Sequence, residues 1–280
     1  MNFRAFPLRR EAAQIIDAKV VFMRNHISKL KKYQFLFEEL VKRDFKKKYK
    51  RTILGMAWSV LSPLLTLLVM MLVFTQFFGR STPHYTIYVF AGNIVYSYFY
   101  EASTQGMQSL TLNAHIFTKV NVPKFLFTIS KNIQALINFG LTIIVFFIFC
   151  LFDHIAFAPR FFCLLYPVGL LVFFCIGVGF CLSALFVFFK DIQYLWTVFM
   201  RLLMYMSAIF YTIDSFPAAT QQAFLANPLY LFISYFRQIV IYGKIPSVGF
   251  HLLMLADTLL IFALGCHMYK KYNTEFLYYL

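Results

Sequence analysis

Apolar stretches of about 20 residues recur along this chain, and short polar segments separate them. About 20 consecutive apolar residues are what an α-helix needs to cross the hydrocarbon core of a bilayer. The pattern predicts an all-α polytopic membrane protein with a cytoplasmic arm over 1–56 and a membrane domain over 57–280. The six predicted transmembrane helices are Ala57–Phe78, Thr86–Gly106, Asn132–Phe152, Phe161–Phe189, Ile192–Ile213 and Phe250–Tyr269.

Composition supports a membrane location. Of the 280 residues, 61% are hydrophobic and only 13% are charged, whereas about a quarter of the residues in a soluble domain are charged. Such a chain has too little polar surface to face water on all sides. We therefore expect lipid to cover much of the protein.

The charges are distributed unevenly and predict the orientation. Residues 1–56 hold 15 Lys/Arg and five acids, with no apolar segment typical of a signal peptide. With the N-terminus inside, the cytoplasmic segments hold 20 Lys/Arg and the outer segments hold four. The positive-inside rule then places both termini in the cytoplasm. It also explains the net charge of +15 without a nucleic-acid partner.

The basic arm contains one amphipathic segment, Gln34–Tyr49. Phe37, Val41 and Phe45 recur at intervals of four among Lys and Arg, which is typical of a helix that lies in the headgroup plane. The alternative is a basic helix that is surrounded by water.

The predicted outer segment before the last span is also unusual. Over residues 214–243, Pro217 and the pair Asn227-Pro228 interrupt apolar pieces that are too short to cross a bilayer. Backbone polar groups at membrane depth must be satisfied within the protein. We expect short re-entrant helices that dip into the outer leaflet.

Signature motifs of enzymes and metal sites are missing from the sequence. It contains no GxxxxGK[ST], no HExxH and no GxSxG, and its six histidines lack metal-ligand spacing. We predict no enzymatic activity, no metal and no cofactor in this chain.

Three charged residues fall inside predicted spans: Glu101, Arg201 and Asp257. Because a charge in a bilayer is costly, it usually faces a protein interior or water. We expect Arg201, deep in its helix, to face the interior. Glu101 and Asp257 either line a polar path, form structural pairs or, for Glu101, reach the interface.

Aromatic residues cluster at and within the second span, with two possible interpretations. Rings can stack on the C–H faces of sugars and line a channel for a glycan, or they can form an interfacial belt with lipid-facing Phe. The sequence favours the belt for most of them. The candidates for a translocation pathway are Trp58, Tyr96, Tyr98, Phe99, Tyr100, Glu101 and Arg201.

A series of motifs follows the chain, beginning with the segment RDFKKKYKRTILGMAWSVLSPLLTLLVMMLVFTQFF at residues 43–78. The motifs are Asp44, Arg51, Leu54-Gly55, Trp58 and Pro63, then Lys119-Val120 with Pro123, Phe188-Phe189-Lys190-Asp191, Tyr211-Thr212 with Pro217, and Asn227-Pro228-Leu229. In this order and spacing, over about residues 34–271, the chain resembles the ABC type-2 permeases that export cell-surface polysaccharides such as O-antigen, capsule and teichoic acid.

The resemblance implies a half-transporter in a bacterial inner membrane. Two copies of the chain would form the pore, and two copies of a separate ATPase would bind ATP and Mg and drive a lipid-linked polysaccharide outward. Phe37, Val41 and Phe45 would lie along the interface with the ATPase. The coupling helix would include Asn113, His115, Ile116, Lys119 and Pro123, and the outer gate would include Pro217, Asn227, Pro228, Tyr230 and Tyr235.

Departures from the family pattern and two other functions remain open. Family members often have Pro in span five where this chain has Ala208, so we expect a straighter helix there. The motifs are also compatible with an ABC type-2 permease for a small lipid or drug. A polytopic membrane transferase, with Glu101 and Asp257 as its polar groups, is the alternative from another class.

Overall fold

A computed structural model describes residues 33–47, 50, 52–78, 82–117, 119–120 and 122–279 of the protein. Residues 1–32, Lys48, Tyr49 and Arg51 of the predicted arm lie outside the described residues. The all-α prediction is confirmed, because every regular element in these ranges is a helix. The α-helices are α1 (33–47), α2 (Trp58–Phe78), α3 (Tyr85–Leu112), α4 (Ala114–Phe117), α5 (Phe125–Phe152), α6 (Leu165–Phe188), α7 (Ile192–Met206), α8 (Ala218–Leu225), α9 (Pro228–Val240), α10 (Val248–Tyr272) and α11 (Phe276–Tyr279), with short 3-10 helices at Gly55–Ala57 and Pro159–Leu164.

Four of the described helical segments are long and apolar enough to cross a membrane: Trp58–Thr75, Phe125–Phe152, Pro159–Phe188 and Val248–Tyr272. They correspond to the first, third, fourth and sixth predicted spans. The complete six-span layout stays a prediction.

The second predicted span is α3, which lies at the centre of the fold. Its 28 residues are long enough to cross, at about 1.5 Å per residue. Every residue from Ile87 to Val95 is buried, because α5, α6 and α9 pack around the helix. A helix that faces protein does not need an apolar surface for lipid, which explains its more polar sequence.

The fifth predicted span is wrong in its extent. The helix expected over 192–213 is α7, which has 15 residues and ends at Met206, about 22 Å after it begins. The chain then turns at Ala208, whose φ is +50°. The straight helix expected at Ala208 is therefore also wrong.

Close packing of α6 on α10 depends on two glycines. Gly177 touches the other helix so closely that a Cβ atom there would lie 2.7 Å from the Cα of Phe262. A Cβ on Gly265 would overlap the carbonyl oxygen of Gly177. Small residues let helix backbones approach in this way in membrane proteins, so these positions fix the distance between the two helices.

The segments with predicted cytoplasmic location meet at one end of the helix bundle. Leu40 of α1, Leu110 near the end of α3, Val122 and Phe276 of α11 are buried in one apolar cluster. The clustering agrees with the predicted alternation of sides. Which end of the bundle faces the cytoplasm stays a prediction.

The opposite end is held by polar contacts among the predicted outer segments. His84, just before α3, contacts Asp153 at the end of α5 with 2.7 Å between Nδ1 and Oδ2. Arg160 donates from Nε to the carbonyl oxygen of Ile239 at 3.2 Å.

Arg237 of α9 forms the buried centre of this outer end. Its side chain is buried and donates from Nη1 to the carbonyl of Ala208 (2.9 Å) and from Nη2 to that of Ile209 (2.9 Å). Nε and Nη2 both reach the carbonyl of Tyr88 at 3.2 Å, and the guanidinium lies 3.4 Å from the centre of the Tyr88 ring. Burial lowers the pKa of Arg237, yet an arginine stays charged in proteins.

Two tyrosine hydroxyls complete the attachment of the turn after α7 to α3. Tyr85 donates to the carbonyl of Phe210 at 2.9 Å, and Tyr88 donates to that of Tyr211 at 2.8 Å. Carbonyls in the turn that follows α7 thus find donors on α3 and α9, as buried backbone groups require.

We predict that Gly265→Ala lowers the thermal stability of the detergent-solubilised protein. The added methyl group forces α6 and α10 apart, and overpacking of this kind costs about 1–3 kcal/mol. Gly169→Ala is the matched control, because nothing lies within 4 Å of a Cβ built there. Equal melting temperatures for both variants would contradict the close contact.

We also predict that Arg237→Met strongly reduces folded protein in the membrane. It leaves the carbonyls of Tyr88, Ala208 and Ile209 without their donor, and each unsatisfied buried group costs about 1–3 kcal/mol. Arg201→Met removes a guanidinium from an exposed position and is expected to leave the amount of monodisperse protein unchanged in size-exclusion chromatography.

Candidate functional site

A polar cavity of about 530 Å³ lies between α2, α3 and α5. Hydroxyl and amide groups from all three helices line it, although each helix is otherwise largely apolar. The lining residues are Thr52, Trp58, Ser59, Ser62, Pro63, Thr66, Asn93, Ile94, Ser97, Tyr98, Glu101, Asn138, Phe139 and Thr142.

The polar side of this cavity is a stripe on α3. Asn93, Ser97 and Glu101 follow at intervals of four residues, which places them on one face of the helix. Glu101 accepts hydrogen bonds through Oε1 from Gln105 (2.9 Å) and from Asn138 of α5 (2.8 Å). The Glu101 carboxylate therefore belongs to a hydrogen-bonded polar surface that lines the cavity. A polar path is one of the alternatives that the sequence leaves open for this residue.

The predicted pathway aromatics divide between different surroundings. Trp58 and Tyr98 line the cavity, and the Tyr98 hydroxyl donates to Asn132 at 2.8 Å. Phe99 is buried in the apolar core and lines no part of the cavity.

Tyr96 and Tyr100 lie on another side of α3. Their rings stack with centroids 6.3 Å apart, and the Tyr96 hydroxyl donates to the carbonyl of Met200 in α7. Arg201 follows on the exposed surface of α7. The prediction that it faces the interior is wrong for the single chain, because most of α7, including Arg201, is exposed and Met200 is its buried residue.

At the other end of the bundle, α1 buries a slightly different face from the one predicted. Phe37, Val41 and Phe45 are half-buried, while Leu40 and Asp44 are buried. The buried stripe is thus centred on Leu40 and Asp44, because this side of α1 packs on the ends of α3 and α5.

An ion cluster fixes α1 to two other elements. Asp44 pairs with Lys131 of α5 at 2.8 Å and with Arg43 at 2.7 Å. Arg43 Nη2 also donates to Asn113 at 2.7 Å, and Gln134 donates to the backbone carbonyl of Asp44. Sequence reasoning missed this role of Asp44, although an acid on the apolar face of a basic helix is itself a signal for a buried partner.

The predicted coupling segment forms a short, partly exposed turn. Asn113 is buried and donates to the carbonyl of Ser109. His115 and Lys119 are exposed, whereas Ile116 and Pro123 are half-buried. The segment therefore presents His115 and Lys119 at the surface while Asn113 attaches it to α1 through Arg43.

Two lysines beside this segment have altered acidity. Burial lowers the pKa of Lys124 and of Lys190, because an ammonium group loses hydration as it is covered. Lys124 donates to the carbonyl of Asn273, and Lys190 donates to Thr111. Both lysines connect their turns to neighbouring helices.

The predicted outer-gate residues hold α8 and α9 in place. Pro217 precedes α8. Asn227 caps α9 by accepting from the Leu229 N–H, and its amide donates to the carbonyl of Met206 at 3.1 Å. Pro228 occupies the first turn of α9, where proline is tolerated because that N–H lacks a helical partner.

The two tyrosines in this group have distinct surroundings. Tyr235 is buried, and its hydroxyl lies 3.0 Å from Nε2 of His251. Tyr230 packs edge-on against Phe224 of α8, with ring centroids 5.4 Å apart. Tyr235 thus joins α9 to α10, and Tyr230 joins α9 to α8.

Among the described residues, no group of three or more His, Cys, Asp or Glu side chains could hold a metal ion. The arrangement consists of a cavity with hydroxyl and amide groups in its wall, a turn-and-helix surface at one end and a hydrogen-bonded cap of short helices at the other.

The sequence of this chain is similar to those of known membrane transport proteins. A family model for ABC-2 type transporter proteins matches residues 36–241. The O-antigen export system permease protein RfbA of Klebsiella pneumoniae is 26% identical over 247 residues, which cover 86% of this chain and 95% of that protein. The protein of the same name from Myxococcus xanthus is 22% identical over 256 residues, which cover 89% and 97%.

Permeases of this family generally work with a separate ATPase subunit. The family model covers well over half of the chain, and the predicted resemblance is confirmed. This chain belongs to the ABC-2 type transporter family and is a transporter membrane subunit, not an enzyme.

Proposed function

We propose that this chain is the membrane-spanning subunit of an ATP-driven exporter of a lipid-linked cell-surface polysaccharide, of O-antigen, capsule or teichoic acid type. The exporter would move its substrate from the cytoplasm to the outer face of a bacterial inner membrane. The observation that carries this proposal is the similarity to O-antigen export permeases along 86–89% of the chain.

The chemistry of the large cavity supports a glycan as the substrate. Its hydroxyl and amide groups can exchange hydrogen bonds with sugar hydroxyls, and Trp58 and Tyr98 offer aromatic faces. Glu101 is the charged group among its described lining residues. A carboxylate repels phosphate, so the cavity suits the sugars better than the phosphate of a lipid carrier.

We propose that two copies of the chain form the transporter, with two ATPase subunits that bind ATP and Mg. The cavity lies on the flank of a single bundle, where α2 forms one of its walls, and most residues of α2 are not buried. A second copy beside α2 would enclose a wider path for a polymer. Both termini would be cytoplasmic, as the charge distribution indicates.

Coupling to the ATPase would run through α1 and the segment around α4. Asp44, Arg43 and Asn113 connect these two elements, and Lys131 connects them to α5. A push on the exposed side of α1 or on Lys119 would therefore move α5, one wall of the cavity, as part of one rigid unit.

Deletion of the chain tests the transport function. We expect surface polysaccharide to disappear and lipid-linked polymer to build up inside the cell, because synthesis continues without export. Surface glycan is measured with a glycan-specific antiserum on intact cells, and internal polymer is measured in membrane extracts. Normal surface glycan in a drug-sensitive deletion strain would instead select a small-molecule permease.

We predict that Asp44→Asn uncouples ATP hydrolysis from export. The substitution removes the charge that holds Lys131 and Arg43. Loss of a coupling free energy of about 1–3 kcal/mol corresponds to a decrease in coupling of about 5-fold or more. Export per ATP hydrolysed, measured with the purified complex in proteoliposomes, is expected to fall by that factor.

The matched control is Glu39→Gln, which removes an acid of the same helix from an exposed pair with Lys42. Exposed pairs contribute little, so this variant is expected to export normally. The double variant Asp44→Asn with Lys131→Gln is expected to lose no more than Asp44→Asn alone, because both changes break one interaction. Additive losses would argue against a shared ion cluster.

A further inference from the structure

A second, smaller pocket lies at the predicted outer end of the protein, beside the turn that follows α7. Its volume is about 210 Å³, and polar groups make up much of its wall. The lining residues are Tyr88, Thr212, Ile213, Asp214, Tyr230, Ser234, Arg237 and Tyr242. They come from α3, α9 and the two segments that flank α8 and α9, so tertiary packing alone brings them together.

The charge of Arg237 does not by itself make this pocket an anion site. A guanidinium has five N–H bonds, and four of them are directed at the carbonyls of Tyr88, Ala208 and Ile209. One N–H bond remains for a ligand. A carboxylate or phosphate needs a paired set of donors for tight recognition, which Arg237 cannot supply here.

An acid on the rim further disfavours an anion. Burial raises the pKa of the Tyr230 and Tyr242 hydroxyls, and the nearby carboxylate of Asp214 raises it further. Asp214 itself is exposed. The pocket thus offers one positive and one negative group. Such a pair suits an uncharged ligand that both donates and accepts hydrogen bonds.

The other walls have the chemistry that recognises a sugar ring. Tyr230 and Tyr242 present aromatic surfaces, against which the C–H face of a sugar can stack. Thr212 supplies a hydroxyl that donates and accepts, whereas the Ser234 hydroxyl already accepts from Gln238 at 3.2 Å. The volume is below the range typical of sites for drug-sized molecules, which limits the ligand to about one ring.

We propose that this pocket binds one uncharged sugar residue of the exported glycan at the outer end of the path. The inference rests on the proposed function, because it takes the glycan to be the cargo. The site would hold the emerging chain between steps of transport and disfavour its return.

Photo-cross-linking in living cells tests the proposal. The photoreactive residue p-benzoylphenylalanine replaces Tyr230 in the full-length protein, in a strain that makes its own surface polysaccharide. After illumination, we expect an adduct of the permease that carries a ladder of glycan and reacts with antiserum to that polysaccharide. Replacement of Tyr242, which is 44% exposed, provides a second pocket position if the first variant folds poorly.

Two further positions serve as controls. Phe162 lies at the same end of the bundle, is 78% exposed and lines an apolar groove, so its replacement is expected to give no glycan adduct. Trp58 lines the large cavity, and its replacement reports whether glycan passes through the protein at all.

The outcomes separate this proposal from the proposed function. Adducts at 230 or 242 and at 58, but not at 162, support the sugar site. An adduct at 58 alone overturns the outer site and leaves glycan export in place. No glycan adduct at any position overturns both. Lipid or an anionic metabolite in the adduct at 230, or equal glycan labelling at 162, also overturns the sugar site.

Discussion

The end of the bundle opposite α1 depends on the hydrogen bonds of one buried guanidinium. Arg237 gives its N–H groups to carbonyls of α3 and of the turn after α7. Backbone groups away from water must find partners inside the protein, and these donors satisfy the carbonyls of Ala208 and Ile209 in the turn that follows α7. The same interaction fixes α9 against α3 and forms the floor of the outer pocket.

The central helix α3 joins the end that holds Arg237 to the cavity and to the end that holds α1. It carries the carbonyl of Tyr88 that Arg237 binds, the Glu101 side chain in the cavity and the Asn113 cap that receives Arg43. Its surroundings are protein over much of its length. Because packed helices move as units, the proposed coupling would act on both polar sites through this one helix.

Polar groups are concentrated in a few places in an otherwise apolar bundle. Each place is hydrogen-bonded internally: Glu101 by Gln105 and Asn138, and Asp44 by Lys131. Because unpaired charges in a membrane protein are costly, such groups persist where they are satisfied by specific partners. The family match identifies a transporter membrane subunit, and these satisfied sites are the polar regions to which the proposed function assigns its roles.

The sequence by itself determined the all-helical class, the apolar segments and the family, because hydrophobic length and local motifs are encoded over neighbouring residues. Only the tertiary structure decided that α7 stops at Met206, that Asp44 is buried with Lys131 and that Arg237 binds carbonyls from two other segments. These features join residues that lie far apart in sequence, and a charge pattern read along one segment carries no information about its distant partner. In the predicted topology Arg237 is one of the four basic residues of the outer segments, and nothing in its own segment indicates its buried partners.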